Sequence, residues 1–289
     1  MFALHAGGSE WMTWHLHLDA IILAVGMLAT YWYAVVPWRR HLGEASPRRS
    51  QVALYCGGVF AIFIASGSPL HDLGENYLLS MHMVQHMLLT LVAPPLLLAG
   101  IPVWLYQKLL CGPIVKPVAN VVLNPLLAIF AFNMLLVLTH LPHVVDFALT
   151  HHWFHFVVHA GLVTTAMMMW WPVITKVPGL PQLGYPYQMA YLFVQSLLPA
   201  VIGSFITFSQ SPVYEFYAAA PRIWGLDAVQ DQQAAAWVMK VVGSIYLWSF
   251  IGVAFFRWYA EETAQDELRW SDVEDELRDM GLTPQQQGR

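Results

Sequence analysis

The sequence predicts an all-α, polytopic membrane protein with seven transmembrane helices, its N-terminus outside and its C-terminus in the cytoplasm. Three observations carry that expectation. The 289 residues are 57% hydrophobic and 11% charged, whereas a soluble domain uses about 25% charged residues to cover its water-facing surface. Seven stretches reach the roughly 20 apolar residues that cross a hydrocarbon core. Eleven of the 13 Lys and Arg residues then fall on one side of the bundle, and an excess of basic residues marks the cytoplasmic side.

The first stretch, about 14–37, is followed by Arg39, Arg40, Arg48 and Arg49. The second, 51–69, leads to an outer loop without Lys or Arg. The third, 77–99, carries Pro94-Pro95, where a kink is expected, and Lys108 and Lys116 follow it. The fourth spans 123–142. The fifth, 153–175, ends at Lys176. The sixth, 187–208, contains Pro199, and the loop after it has one basic residue, Arg222. The seventh, 234–257, has Lys240 inside it. Residues 1–259 read as one membrane domain and 260–289 as a charged cytoplasmic tail. In the tail Val273, Leu277 and Met280 form only a narrow stripe, which fits a solvated helix. The N-terminus lacks a basic n-region, so no cleaved signal peptide is expected. Net charge is −5 without a basic cluster, which argues against nucleic acid as a partner. Cys56 and Cys111 form no CxxC, so neither a disulfide framework nor a thiolate metal site is expected.

The 13 histidines are distributed unevenly. His41 is on the cytoplasmic side. His5, His15, His17, His71, His82, His86, His140, His143, His151, His152, His155 and His159 all fall outside or in the outer half of a span. His82 and His86 are four apart and share a helix face. His151, His155 and His159 repeat that spacing and make a stripe about 12 Å long. Acidic partners lie on the same side: Asp72, Glu75, Asp146, Glu215, Asp227 and Asp231. Ionisable groups at membrane depth are rare and mark function. Imidazole suits copper, zinc, iron and nickel, and neighbouring thioethers such as Met83 and Met87 favour Cu(I). The residues therefore predict a metal site, with copper preferred, in the outer half of the bundle. The expected ligands are His82, His86, His155, His159 and Asp231, with His71, His140, His143, His151 and Asp72 behind them. His82 and His86 are expected to meet His155 and His159 in one outward-facing cavity, with Asp231 at its rim. A single histidine pair would more often be a packed interhelical hydrogen bond, and Asp231 has an alternative as a helix cap. Lys240 reads as a partner for a buried carboxylate or carbonyl.

The blocks PLHDLGENYLLSMHMVQHMLLTLVAPPLLLAGIP (69–102), HLPHVVDFAL (140–149), HHWFHFVVHAGLVTTAMMMWWPV (151–173) and DQQAAAWVMKV (231–241) resemble, in that order, those of the caa(3)-type cytochrome c oxidase assembly factors of the CtaG family. The resemblance covers residues 15–258. It implies a seven-helix protein of the bacterial inner membrane, without enzymatic activity, that holds or relays copper for cytochrome c oxidase subunits, the catalytic subunit foremost. It marks His82, His86, His140, Asp146, His155, His159 and Asp231 as family-type positions. Val145 stands where the family usually has Tyr. Two other readings stay open. One is a b-type haem electron-transfer protein, with His82 or His86 facing His155 or His159 as axial ligands. The other is a metal transporter, against which the inner half of the bundle is poor in polar groups.

Overall fold

The computed structural model describes residues 17–280, and His5 and His15 lie outside them. Among the described residues every regular element is helical and there is no strand. Six helices are long and apolar enough to cross a membrane. They are α1 (Leu18–Leu42), α2 (Arg49–Gly67), α4 (Leu79–Gly100), α9 (His152–Ile174), α10 (Tyr185–Phe208) and α12 (Ala228–Asp279). Short helices lie between them: α3 (Pro69–Asn76), α5 (Val103–Leu110), α6 (Val115–Val122), α7 (Pro125–Thr139), α8 (Pro142–Thr150) and α11 (Glu215–Ala219).

The expected fourth span is the one that differs in kind. Instead of a single helix over 123–142, α6 and α7 pass as a span only together and are bent by 60° at the break. The cause is local. Asn124 takes the N-cap of α7, accepting from the Leu126 and Leu127 N–H groups, and Pro125 follows as its first residue. Proline fits there because the first helical N–H needs no partner. At 15 residues, α7 is about 22 Å long, too short to cross alone. The far end is closed by His140, and Pro142 begins α8.

The helix α4 is the centre of the bundle. Of the residues in its apolar stretch 67% are buried, against at most 39% in the other five helices. It packs on α2, α3, α9 and the start of α12. Its proline pair gives a π-helical turn at Leu88–Val92 rather than a sharp break. Pro94 has no N–H, so the Thr90 carbonyl loses its helical donor. The buried Trp170 indole fills that place, donating to Thr90 O at 2.9 Å. Close approach matters too: a Cβ on Gly100 would lie 2.5 Å from the Tyr55 nitrogen, so only glycine lets α2 and α4 meet there.

The seventh helix runs further than its apolar stretch. α12 includes a π-helical turn at Val238–Val242 and continues unbroken to Asp279. Residues 260–279 are thus an extension of the last span, and Trp270, Val273 and Met280 on it are exposed. Lys240 meets Ser204 Oγ at 3.5 Å, and its ammonium lies 5.9 Å from the Phe208 ring centre and 6.0 Å from that of Trp237. A hydroxyl and two rings, rather than a carboxylate, are its neighbours.

Candidate metal centre

Three helix ends assemble the histidines. His82 and His86 lie in the first turns of α4, His155 and His159 in those of α9, and His140 closes α7. The start of α12 packs against the start of α4. Helix α3 lies across them. A Cβ on Gly74 would sit 3.0 Å from His82 N and Cα, so the two helices touch backbone to backbone. The Tyr217 hydroxyl, from α11, holds α3 down by donating to Gly74 O at 2.6 Å.

The rings are in mutual contact. Ring centres are 4.4 Å apart for His82–His86, 5.6 Å for His82–His155 and 5.9 Å for His82–His159. They are 4.2 Å apart for His155–His159, 5.0 Å for His86–His159 and 6.1 Å for His86–His140. The His82, His155 and His159 rings each offer one nitrogen within 4.8 Å of the others. Ion–nitrogen bonds of about 2 Å place two ligand nitrogens no more than about 4 Å apart. Small ring rotations therefore bring these three onto one ion. His82, His86, His140 and His155 are buried, and His159 is half-buried.

Hydrogen bonding separates the outer nitrogens of these rings from the inner ones. His140 Nδ1 lies 2.7 Å from Leu136 O and donates to it, because a carbonyl can only accept. His155 Nδ1 lies 3.1 Å from Glu75 Oε1. With those protons committed, Nε2 of both rings presents a lone pair. A carboxylate or carbonyl behind the ring is the usual support of a metal-bound imidazole. The free nitrogens are buried and lack any hydrogen-bond partner: His82 Nδ1 and Nε2 of His86, His140, His155 and His159.

Glu75 also faces His71, with Oε1 to Nδ1 at 3.0 Å. Gln85 Nε2 approaches the same nitrogen at 3.0 Å, and the carboxylate is the stronger partner because it is charged. Burial disfavours the charge on both groups, yet the facing carboxylate raises the His71 pKa and the two imidazoles lower that of Glu75. Beyond His71, Asp72 pairs with His17 at 3.1 Å.

The remaining expected residues go elsewhere. Asp231 is buried, but its carboxylate accepts from Leu79 N at 2.7 Å, Ser80 N at 3.1 Å and Ser80 Oγ at 2.5 Å. It caps α4, whose own N-cap residue, Leu78, has no acceptor side chain. The cap on its own helix is supplied by Asp227, which accepts from Val229 N and Gln230 N. Asp146 likewise caps α11 through Glu215 N and Phe216 N. His143 is exposed. His151 is exposed as well, stacked 4.0 Å from the Phe147 ring with Nδ1 against Phe147 O. Neither joins the cluster. Glu75 is the residue that the ligand list lacks. Its spacing of four from His71, in HDLGE, is the local signal that ties it to an imidazole.

A helical membrane protein with a buried polyhistidine centre under a short capping helix is the class that these features define. Residues 29–261 match the family described as cytochrome c oxidase caa3 assembly factor (Caa3_CtaG), and the chain belongs to that family. Two curated relatives are uncharacterized proteins of Mycobacterium bovis and Mycobacterium tuberculosis. Each is 24% identical over 258 residues, an alignment covering 80% of this chain and 39% of the relative. The chain thus spans about two-fifths of the length of the curated relatives it matches. No solved structure matches it.

Proposed function

We propose that this protein holds copper at the His82, His155, His159 centre for delivery to cytochrome c oxidase, with the catalytic subunit as recipient. The family indicates an assembly factor for that oxidase. The observation that carries the copper reading is the set of five buried imidazole nitrogens without a partner, converging from three helices. An unsatisfied polar group in a dry interior costs about 1–3 kcal/mol. Neutral imidazoles backed by Glu75 and Leu136 suit a borderline or soft cation, and the copper is cargo rather than a reagent. The bundle would lie in a bacterial inner membrane, histidine end outward, because eleven of 13 basic residues fall on the opposite side.

The haem alternative is disfavoured by packing. A macrocycle needs an open slot between its axial histidines, and the rings that face across α4 and α9 are already packed at 5.0–5.9 Å with the His140 and Tyr217 rings beside them. Metal analysis of the full chain purified after copper loading tests the proposal. The tightly held copper should be retained by the native protein through purification and lost from a folded His82→Ala, His155→Ala, His159→Ala triple variant. Equal copper in both, or a Soret band in the native protein, would overturn it. For orientation, a periplasm-active reporter should work when fused at Arg222 and fail beyond Ala260, and the reverse pattern would invert the placement.

A further inference from the structure

The centre has more unpartnered imidazoles than the three-histidine group uses. Resting on the copper-holding function above, we propose that His86 and His140 form a second, deeper cation position, suited to a two-coordinate monovalent soft ion such as Cu(I).

Both Nε2 atoms are buried without a partner, and the residues are 6% and 8% exposed. His140 donates through Nδ1 to Leu136 O at 2.7 Å, which leaves Nε2 as its lone pair. The rings come from different helices and their backbones are tied down. Thr90 Oγ1 donates to His86 O at 2.7 Å, and the Tyr214 hydroxyl donates to His140 O at 3.2 Å. The spacing fits one ion between them. A ligand nitrogen lies about 2 Å from its ion and the ring centre about 1 Å behind it, so opposed imidazoles have centres about 6 Å apart. The observed separation is 6.1 Å. The His82–His86 and His155–His159 pairs, at 4.4 Å and 4.2 Å, are too close for that arrangement.

Two imidazoles without a carboxylate do not satisfy Zn(II), which takes four ligands. They do satisfy Cu(I), for which two opposed nitrogen ligands suffice. One residue along α4 from His86, a cavity is lined by Met87, Thr90, Leu136, Gln195 and Met239, and thioether sulfur is a soft donor as well. The two positions differ in their backing. Glu75 lies against His155 in the first, while a backbone carbonyl lies behind His140 in the second. The first therefore holds its ion more tightly, and repulsion between the two ions weakens the second further. The deeper ion is the exchangeable one, at least tenfold weaker.

The test is Cu(I) stoichiometry of the full chain in detergent, loaded anaerobically and titrated against a Cu(I) chelator. The native protein should bind two ions, the weaker at least tenfold below the tighter. His140→Asn and, separately, His86→Gln should each bind one, with melting temperatures near the native value. His155→Ala should instead lose the tighter ion. A native protein that binds one Cu(I), kept by His140→Asn and lost from His155→Ala, would remove the deeper position and leave the proposed function intact. Folded His86 and His140 variants that bind none would mean a single five-ligand site and also overturn the inference. A native protein that binds no Cu(I) would end the proposed function and this inference with it.

Discussion

The two ends of the α4–α9 interface treat polar atoms in opposite ways. At the aromatic end, the carbonyl freed by Pro94 receives the Trp170 indole, Tyr106 donates to Leu98 O, Tyr191 to Met169 O, and Tyr31 to Gly100 O. Trp104 Nε1 is the exception there. At the histidine end, by contrast, five imidazole nitrogens and Gln85 Oε1 are buried without a hydrogen-bond partner among the described residues. One sequence thus closes its polar accounts around prolines and glycines and leaves them open around histidines. The carboxylates sharpen the contrast, since Asp231, Asp146 and Asp227 are all used as helix caps at the histidine end. The unsatisfied atoms are a selection of imidazoles, not a general looseness of that end.

The comparison can be broken at either end. Trp170→Ala should have the largest effect, costing about 3–5 kcal/mol of stability from lost packing while metal stoichiometry in the fraction still folded stays native. Unfolding in mixed micelles measures it, and a loss of metal without loss of stability would join the two ends. Next, Glu75→Gln should weaken copper affinity by about 10–100-fold, the usual effect of altering the group behind a ligand, with melting little changed. An unaltered affinity would reduce Glu75 to a packing role. Asp231→Asn should cost about 1–2 kcal/mol as a weakened cap and leave the number of bound ions native; loss of ions with native stability would restore it as a ligand. The smallest effect has the opposite sign. His86→Leu should stabilise the metal-free protein by about 1 kcal/mol by removing an unpaired buried nitrogen, and a destabilised metal-free variant would show that the ring is structurally required.

Much of this arrangement was legible in the sequence. Hydropathy located the spans, and spacing put His82 with His86 and His155 with His159. The break at Asn124-Pro125 was not read, although Asn before Pro is a turn signal, because the apolar run continues across it. The cap role of Asp231 was hidden for another reason. Its partners Leu79 and Ser80 are 152 and 151 residues away, and only the packed bundle brings them together. His140 stands in the second rank of candidates, since Pro142 interrupts the three-residue helical spacing between it and His143, yet it is the helix end that sets its ring in the interior. His143 and His151 share the favoured side of the chain but not its interior. Counting histidines by side does not reveal which face of a short helix, here α8, meets the bundle.

If the protein holds copper as proposed, the contact between Gly74 and His82 sets how quickly the ion comes and goes. With backbone against backbone there, any side chain at position 74 would wedge α3 off α4, since even a methyl group is tighter than packing tolerates. The displacement needed is only a few tenths of an ångström, so Glu75 stays against His155 and equilibrium affinity would move little, while the seam above the ligands would loosen. Position 74 therefore acts on the clock of the site rather than its balance. Gly74→Ala should raise the loading and release rates of copper together, a leak that stopped-flow chelation detects and equilibrium titration misses.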